Sequence, residues 1–181
     1  MKPVHLSSAL LLLACAVTPA IRAQSHDQQG SPKGEDRIVR EVRHELVMLP
    51  YYSVFDSLAY KVNGYTVTLE GQVTNPVLKS DADRSVKKIE GVQNVVNNIE
   101  VLPLSPMDDQ LRRAVYRAIY RQPGLEMYSL RAVPTIHIIV KNGHVTLTGA
   151  VGNQGDNERA GIAANGVSGV FSVTNDLLVS P

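Results

Sequence analysis

The sequence predicts an α+β protein built from two tandem αββαβ domains, each a three-stranded mixed sheet with two helices on one face. Three observations carry this expectation: an internal repeat, a fixed change of hydrophobic period within each copy, and short turns suited to hairpins. Residues 58–101 align without gaps on residues 136–179 at an offset of 78, and 13 of the 44 pairs are identical. The identities include Val67, Thr68 and Leu69 with Val145, Thr146 and Leu147, Gly71 with Gly149, Asn75 with Asn153, Gly91 with Gly169, and Asn97 with Asn175. Upstream, Arg40, Val42 and Pro50 match Arg113, Val115 and Pro123 at an offset of 73, so the second copy carries five extra residues between Pro123 and Ile136.

The elements follow in chain order. Residues 1–23 have the form of a secretory signal peptide: Lys2 opens it, an apolar run of about a dozen residues follows, too short to span a bilayer, and cleavage is expected after Ala23. An alternative cut before Cys15, after Leu12, Leu13 and Ala14, would make a lipoprotein anchored through that cysteine. Residues 24–35 are rich in Gln, Gly, Ser and charge and are expected to form a flexible tether. The first domain is placed at residues 36–102 and the second at 107–179, with Pro103 and Pro106 marking the boundary. Ile38, Val42, Leu46 and Leu49 recur at helical spacing, as do Leu111, Val115, Ala118 and Ile119, so each copy opens with an amphipathic helix. Two alternating strands come next. Pairing Val62 with Val67 leaves Gly64 and Tyr65 at the first tip, which suits a type II′ turn, and pairing Val140 with Val145 leaves Asn142 and Gly143, which suits type I′. Ala82, Val86 and Ile89 mark a second helix. Its counterpart, with Ala160, Ala164 and Val167, contains Gly161 and Gly166, which lower helix propensity by up to ~1 kcal/mol each, and an irregular helix is expected there. Gly91 and Gly169 then stop the helices before a final strand, at residues 92–101 and 170–179.

Two motifs per copy carry a family resemblance: V-T-L-x-G-x-V at residues 67–73 and 145–151, and G-V-x-x-V-x-N at residues 91–97 and 169–175. Each copy resembles a BON domain, the module of bacterial osmotic-shock periplasmic proteins and nodulation proteins, and the resemblance spans the chain beyond the tether. It implies a periplasmic envelope protein of the Gram-negative type, linked to osmotic stress, outer-membrane integrity and phospholipid binding, with no catalytic residues to carry over.

Composition narrows the chemistry. With 18 Lys and Arg against 17 Asp and Glu, the chain lacks the basic excess of a protein that binds nucleic acid by neutralising phosphates. The single cysteine, Cys15, lies in the leader, which removes thiol catalysis and Cys-based metal sites from the folded part. No G-x-S-x-G, H-E-x-x-H or G-x-x-x-x-G-K motif occurs, no acid, base and nucleophile converge, and neither an enzyme nor a cofactor is expected. His26 falls in the tether and His44 on the first helix. Strand parity puts His137, Lys141, His144, Thr146 and Thr148 on one face of the second hairpin, with the two histidines roughly 13 Å apart, too far to share a metal, so they are expected to be exposed and structural. Asp81 and Asp83 diverge on their helix as a solvated face.

One surface stands out. Turning Leu111, Val115, Ala118 and Ile119 toward the core puts Arg112, Arg113, Tyr116, Arg117 and Tyr120 outward, with Arg121 at the border. Arginines pair with phosphates while tyrosines settle among headgroups, so these six residues are the expected contact with an anionic phospholipid surface. The first helix offers Arg40, Arg43 and His44 without an aromatic. The alternative is a protein-interaction module that docks on an outer-membrane or cell-wall assembly through exposed strand edges.

Overall fold

The computed structural model describes residues 32–131 and 133–180; the expected signal peptide, Cys15 and His26 lie outside them. Helix α1 (Pro32–Val47) leads into β1 (Ser57–Asn63), β2 (Thr66–Val73), α2 (Pro76–Val86), β3 (Asn94–Asn97) and β4 (Glu100–Val101). The second half has α3 (Pro106–Tyr120), a short 3-10 helix (Glu126–Ser129), β5 (Ile136–Lys141), β6 (His144–Val151), α4 (Gln154–Asn165) and β7 (Ser172–Val179). In each half the middle strand pairs antiparallel with the strand before it and parallel with the strand after the second helix. Val62 faces Val67 and Val140 faces Val145, and positive φ at Gly64 (59°) and at Asn142 and Gly143 (53° and 78°) fits the two expected turn types.

Residues repeated in sequence play the same structural part in both copies. Gly71 and Gly149 sit at φ 125° and 109°, and a Cβ there would run into the carbonyl oxygens of Ser57 and Thr135, themselves 78 positions apart, so the strand pair closes only around glycine. Asn97 donates to the Lys79 carbonyl (2.9 Å) and accepts from the Ile99 amide (3.2 Å); Asn175 donates to the Asn157 carbonyl (2.9 Å) and accepts from the Leu177 amide (3.4 Å). The last strand of each copy is thus tied to its second helix by one carboxamide. Asn75 and Asn153 cap those helices, accepting from the amides of Val77 and Asp156 at 2.9 Å.

Three elements differ from expectation. The tether is expected to run to residue 35, but α1 starts at Pro32, because a helix tolerates proline in its first turn and Glu35 complements the N-terminal dipole. The final strand of the first copy is broken into β3 and β4 where Ile99 turns its side chain into the core, while β7 runs unbroken. Helix α4 is regular over 12 residues despite its glycines. Gly161 is needed for close packing, since a Cβ there would lie 2.8 Å from Asn175 Nδ2, and Gly166 sits at the C-cap.

Each half has its own interior. Ile38, Val42 and Leu46 of α1 meet Leu78, Ala82 and Val86 of α2 over Val67, Leu69 and Val73. In the second half Leu111, Val115 and Ile119 meet Ala160 and Ala164 over Ile136, Ile138, Val145 and Leu147. The connection between α1 and β1 crosses over: Val54 is buried in the second core and Phe55 packs against it. Gly149→Ala is expected to lower stability by about 3 kcal/mol, from backbone strain plus the clash, whereas Gly166→Ala, at φ −76° and with only ordinary contacts, is expected to be neutral or stabilising by up to ~1 kcal/mol. Urea titration of both variants checks the contrast.

Candidate functional site

Helix α3 is fastened before it presents anything. Ser105 caps it, accepting from the Asp108 amide at 3.2 Å, and the buried Asp108 carboxylate accepts from the amides of Asn142 and Gly143 at 2.9 and 2.8 Å, tying the helix start to the hairpin tip. β5 is an edge strand, so its outward carbonyls need donors from elsewhere. Arg112 gives one to Val140 (2.7 Å) while pairing with Asp109 (2.5 Å), and the Tyr120 hydroxyl gives one to Ile136 (3.0 Å). These two residues are expected on the outward face from the sequence, and both are buried. The expectation is corrected: a hairpin edge rising beside the core stripe widens the buried arc of the helix to include its neighbours. Burial raises the Tyr120 hydroxyl well above the usual phenol range, and it stays neutral.

Arg113, Arg117 and Arg121 are exposed, and none takes part in an ion pair among the described residues. Tyr116 is half-buried, with its ring 4.7 Å from Tyr120 and edge-on to Phe55 at 6.2 Å. Val54 and Phe55 extend this face, and with Arg113, Tyr116 and Arg117 they line a hollow of about 500 Å³. Periodicity alone does not reveal Val54 and Phe55, because they lie in an irregular connection. The signal for them is compositional: four large apolar residues, Tyr51, Tyr52, Val54 and Phe55, within a few residues of loop.

That loop hangs on Asp56. Its fully buried carboxylate accepts from the Ser53 amide (3.0 Å) and hydroxyl (2.6 Å) and from the Thr74 amide (2.7 Å) and hydroxyl (2.9 Å). Held this way, the loop offers the Val54 carbonyl to the Ile138 amide at 2.7 Å, covering an outward group at the middle of β5. The face bearing His137 therefore packs against the first domain. His137 stacks on Tyr52 with ring centroids 5.4 Å apart, Thr148 donates to Ser57 (3.2 Å), Lys141 pairs with Glu100 (2.5 Å), and Ile139 is buried. The sequence leads one to expect an exposed His137; the docked domain covers it. His44 and His144 are exposed, and His144 meets the Ser172 hydroxyl at 2.7 Å. The register places His137 opposite Thr148 and His144 opposite Lys141, so the two histidines remain apart.

Burial lowers the His137 pKa, opposed by the nearby carbonyls of Asp56 and Ser53 and by the Asp56 charge, while burial raises Tyr52 to about 12. A histidine whose folded pKa lies below its unfolded value favours folding above the unfolded value, and that share is lost as pH falls toward the folded one. Docking of the two domains is therefore expected to weaken as pH drops below about 6.5, and His137→Phe is expected to flatten that slope, read as amide protection of Ile138 against pH. Asp56→Ala leaves the half-buried Thr74 amide without its acceptor. It is expected to cost about 3 kcal/mol by urea unfolding and to speed exchange of the Ile138 amide. Unchanged protection of Ile138 would show that the loop is held by something else.

No curated protein matches the chain. Two solved structures of CdsD, a structural protein of the type III secretion system of Chlamydia trachomatis, are similar at 14% identity, one of them its C-terminal domain. They cover 80% of this chain and 98% and 93% of their own, with TM-scores of 0.31 and 0.32. The BON-domain family model matches twice, at residues 35–103 and 107–181, in register with the repeat, the αββαβ order and the recurring glycines and asparagines. The chain belongs to the BON-domain family and carries two copies of its domain.

Proposed function

We propose that this protein is a non-enzymatic component of the bacterial envelope, exported to the periplasm, that associates with anionic phospholipid through its second BON domain. BON domains occur in periplasmic and envelope proteins and are generally non-catalytic binding domains, and no helix among the described residues is long and apolar enough to cross a membrane. The observation that carries the lipid reading is the outer face of α3: three arginines, Arg113, Arg117 and Arg121, without anionic partners among the described residues, beside an aromatic pair, Tyr116 and Phe55. Each basic residue near an anionic surface contributes about 1 kcal/mol, so three give weak, reversible, salt-sensitive attachment. Tyr116 and Phe55 add an amphipathic contact at headgroup depth.

A second reading, docking of a protein partner by strand addition, is supported by β7. This strand is the outer edge of the second sheet, and Leu178 on it is 71% exposed. The two readings part on vesicles. Recovery with phosphatidylglycerol vesicles is expected to exceed that with phosphatidylcholine vesicles, to fall with salt, and to drop roughly 100-fold in affinity for the Arg113→Gln, Arg117→Gln, Arg121→Gln triple variant. Equal recovery on both vesicles, unaffected by the variant, would defeat the lipid reading.

A further inference from the structure

Arg131, Val133, Pro134 and Thr135, from the longer connection of copy two, line a cleft together with Arg43 and Val47 of α1, Tyr52, and Ser57, Leu58 and Ala59 of β1. The cleft measures about 660 Å³, within the size range of small-molecule sites. Its walls are mainly apolar, with Val47 and Leu58 from the first domain and Pro134, Ala150 and Leu178 from the second. Arg43 and Arg131, one from each domain, also line it, and both are exposed and without an ion pair or hydrogen bond among the described residues. Asp176 is the one carboxylate in the lining against two arginines, so the cleft carries a net positive charge. Thr135 Oγ1 and His137 Nδ1, on two further lining residues, are buried without a hydrogen-bond partner. A second hollow of about 290 Å³ shares Arg43, Val47, Tyr52 and Leu58 with the cleft and adds Leu46 and Tyr60, so the two adjoin.

We propose that this interdomain groove binds a single-chain amphiphile with an anionic head, its chain along the apolar walls and its head paired with the guanidinium groups of Arg43 and Arg131. An apolar wall favours an alkyl chain in proportion to the area it removes from water. Two guanidinium groups without protein partners select a carboxylate or phosphate head over a neutral or cationic one. A free inorganic anion would leave the walls unused. The groove shares no lining residue with the α3 face, so it stands or falls separately from the membrane reading.

The test titrates the purified protein with decanoate below its micellar concentration, alongside decyltrimethylammonium and inorganic phosphate, using calorimetry and two-dimensional amide spectra. Decanoate is expected to bind at one equivalent and to shift the amides of Ala59 and Ala150. The Arg43→Gln, Arg131→Gln double variant, altered only at exposed positions, is expected to keep the wild-type spectrum and lose at least about tenfold in affinity. Ala150→Trp, which fills the groove, is expected to abolish binding. Non-saturable uptake, equal affinity for the cationic amphiphile, phosphate binding as tight as decanoate, or shifts confined to Arg113 and Tyr116 would each overturn the proposal.

Discussion

The Asp56 carboxylate is buried among four donors from Ser53 and Thr74, and through them it gives shape to a loop that has no secondary structure of its own. A buried carboxylate is tolerable only when its lone pairs are filled, and here the donors that fill them come from the loop itself and from the end of β2. The loop can then reach across to the other domain, burying Val54 in a foreign core, offering a carbonyl to β5, and setting Tyr52 on His137 and Phe55 on Tyr116. The loop thus supplies Val54 and Phe55 to the α3 face and Tyr52 to the lining of the interdomain cleft.

Duplication makes the economy of the arrangement visible. The amides of Thr74 and Gly152 occupy the same place in the two copies, 78 residues apart, and both need an acceptor. In the first copy a carboxylate, Asp56, supplies it; in the second the Tyr128 hydroxyl accepts at 2.8 Å and donates its own proton toward Asp156 at 2.5 Å. Tyr128 belongs to the short 3-10 helix within the connection that carries the extra residues. The same backbone demand is thus met by different side chains, and the two connections diverge in consequence. The first docks on the other domain, and the second roofs the cleft.

Much of the fold was legible because it rests on local rules. The hairpin registers follow from valine alternation, and the turn types from Gly64 and from Asn142 with Gly143. The candidate face was only half legible. Arg113, Tyr116, Arg117 and Arg121 stand at the helix surface, whereas Arg112 and Tyr120 turn in, because an exposed strand edge beside the helix demanded donors that a helical wheel does not represent. Gly161 likewise reads as a helix breaker in isolation and as a packing requirement once Asn175 is set against it.

From its residue order alone the chain determined what each segment becomes and that the unit occurs twice, since period, turn chemistry and capping act over a few residues. Only the tertiary structure decided what the two units are to each other. Whether His137 meets water or Tyr52, and whether Val54 lies in a loop or a core, depends on contacts between residues some 80 positions apart, and burial and charge pairing across that distance leave no periodic trace in the sequence.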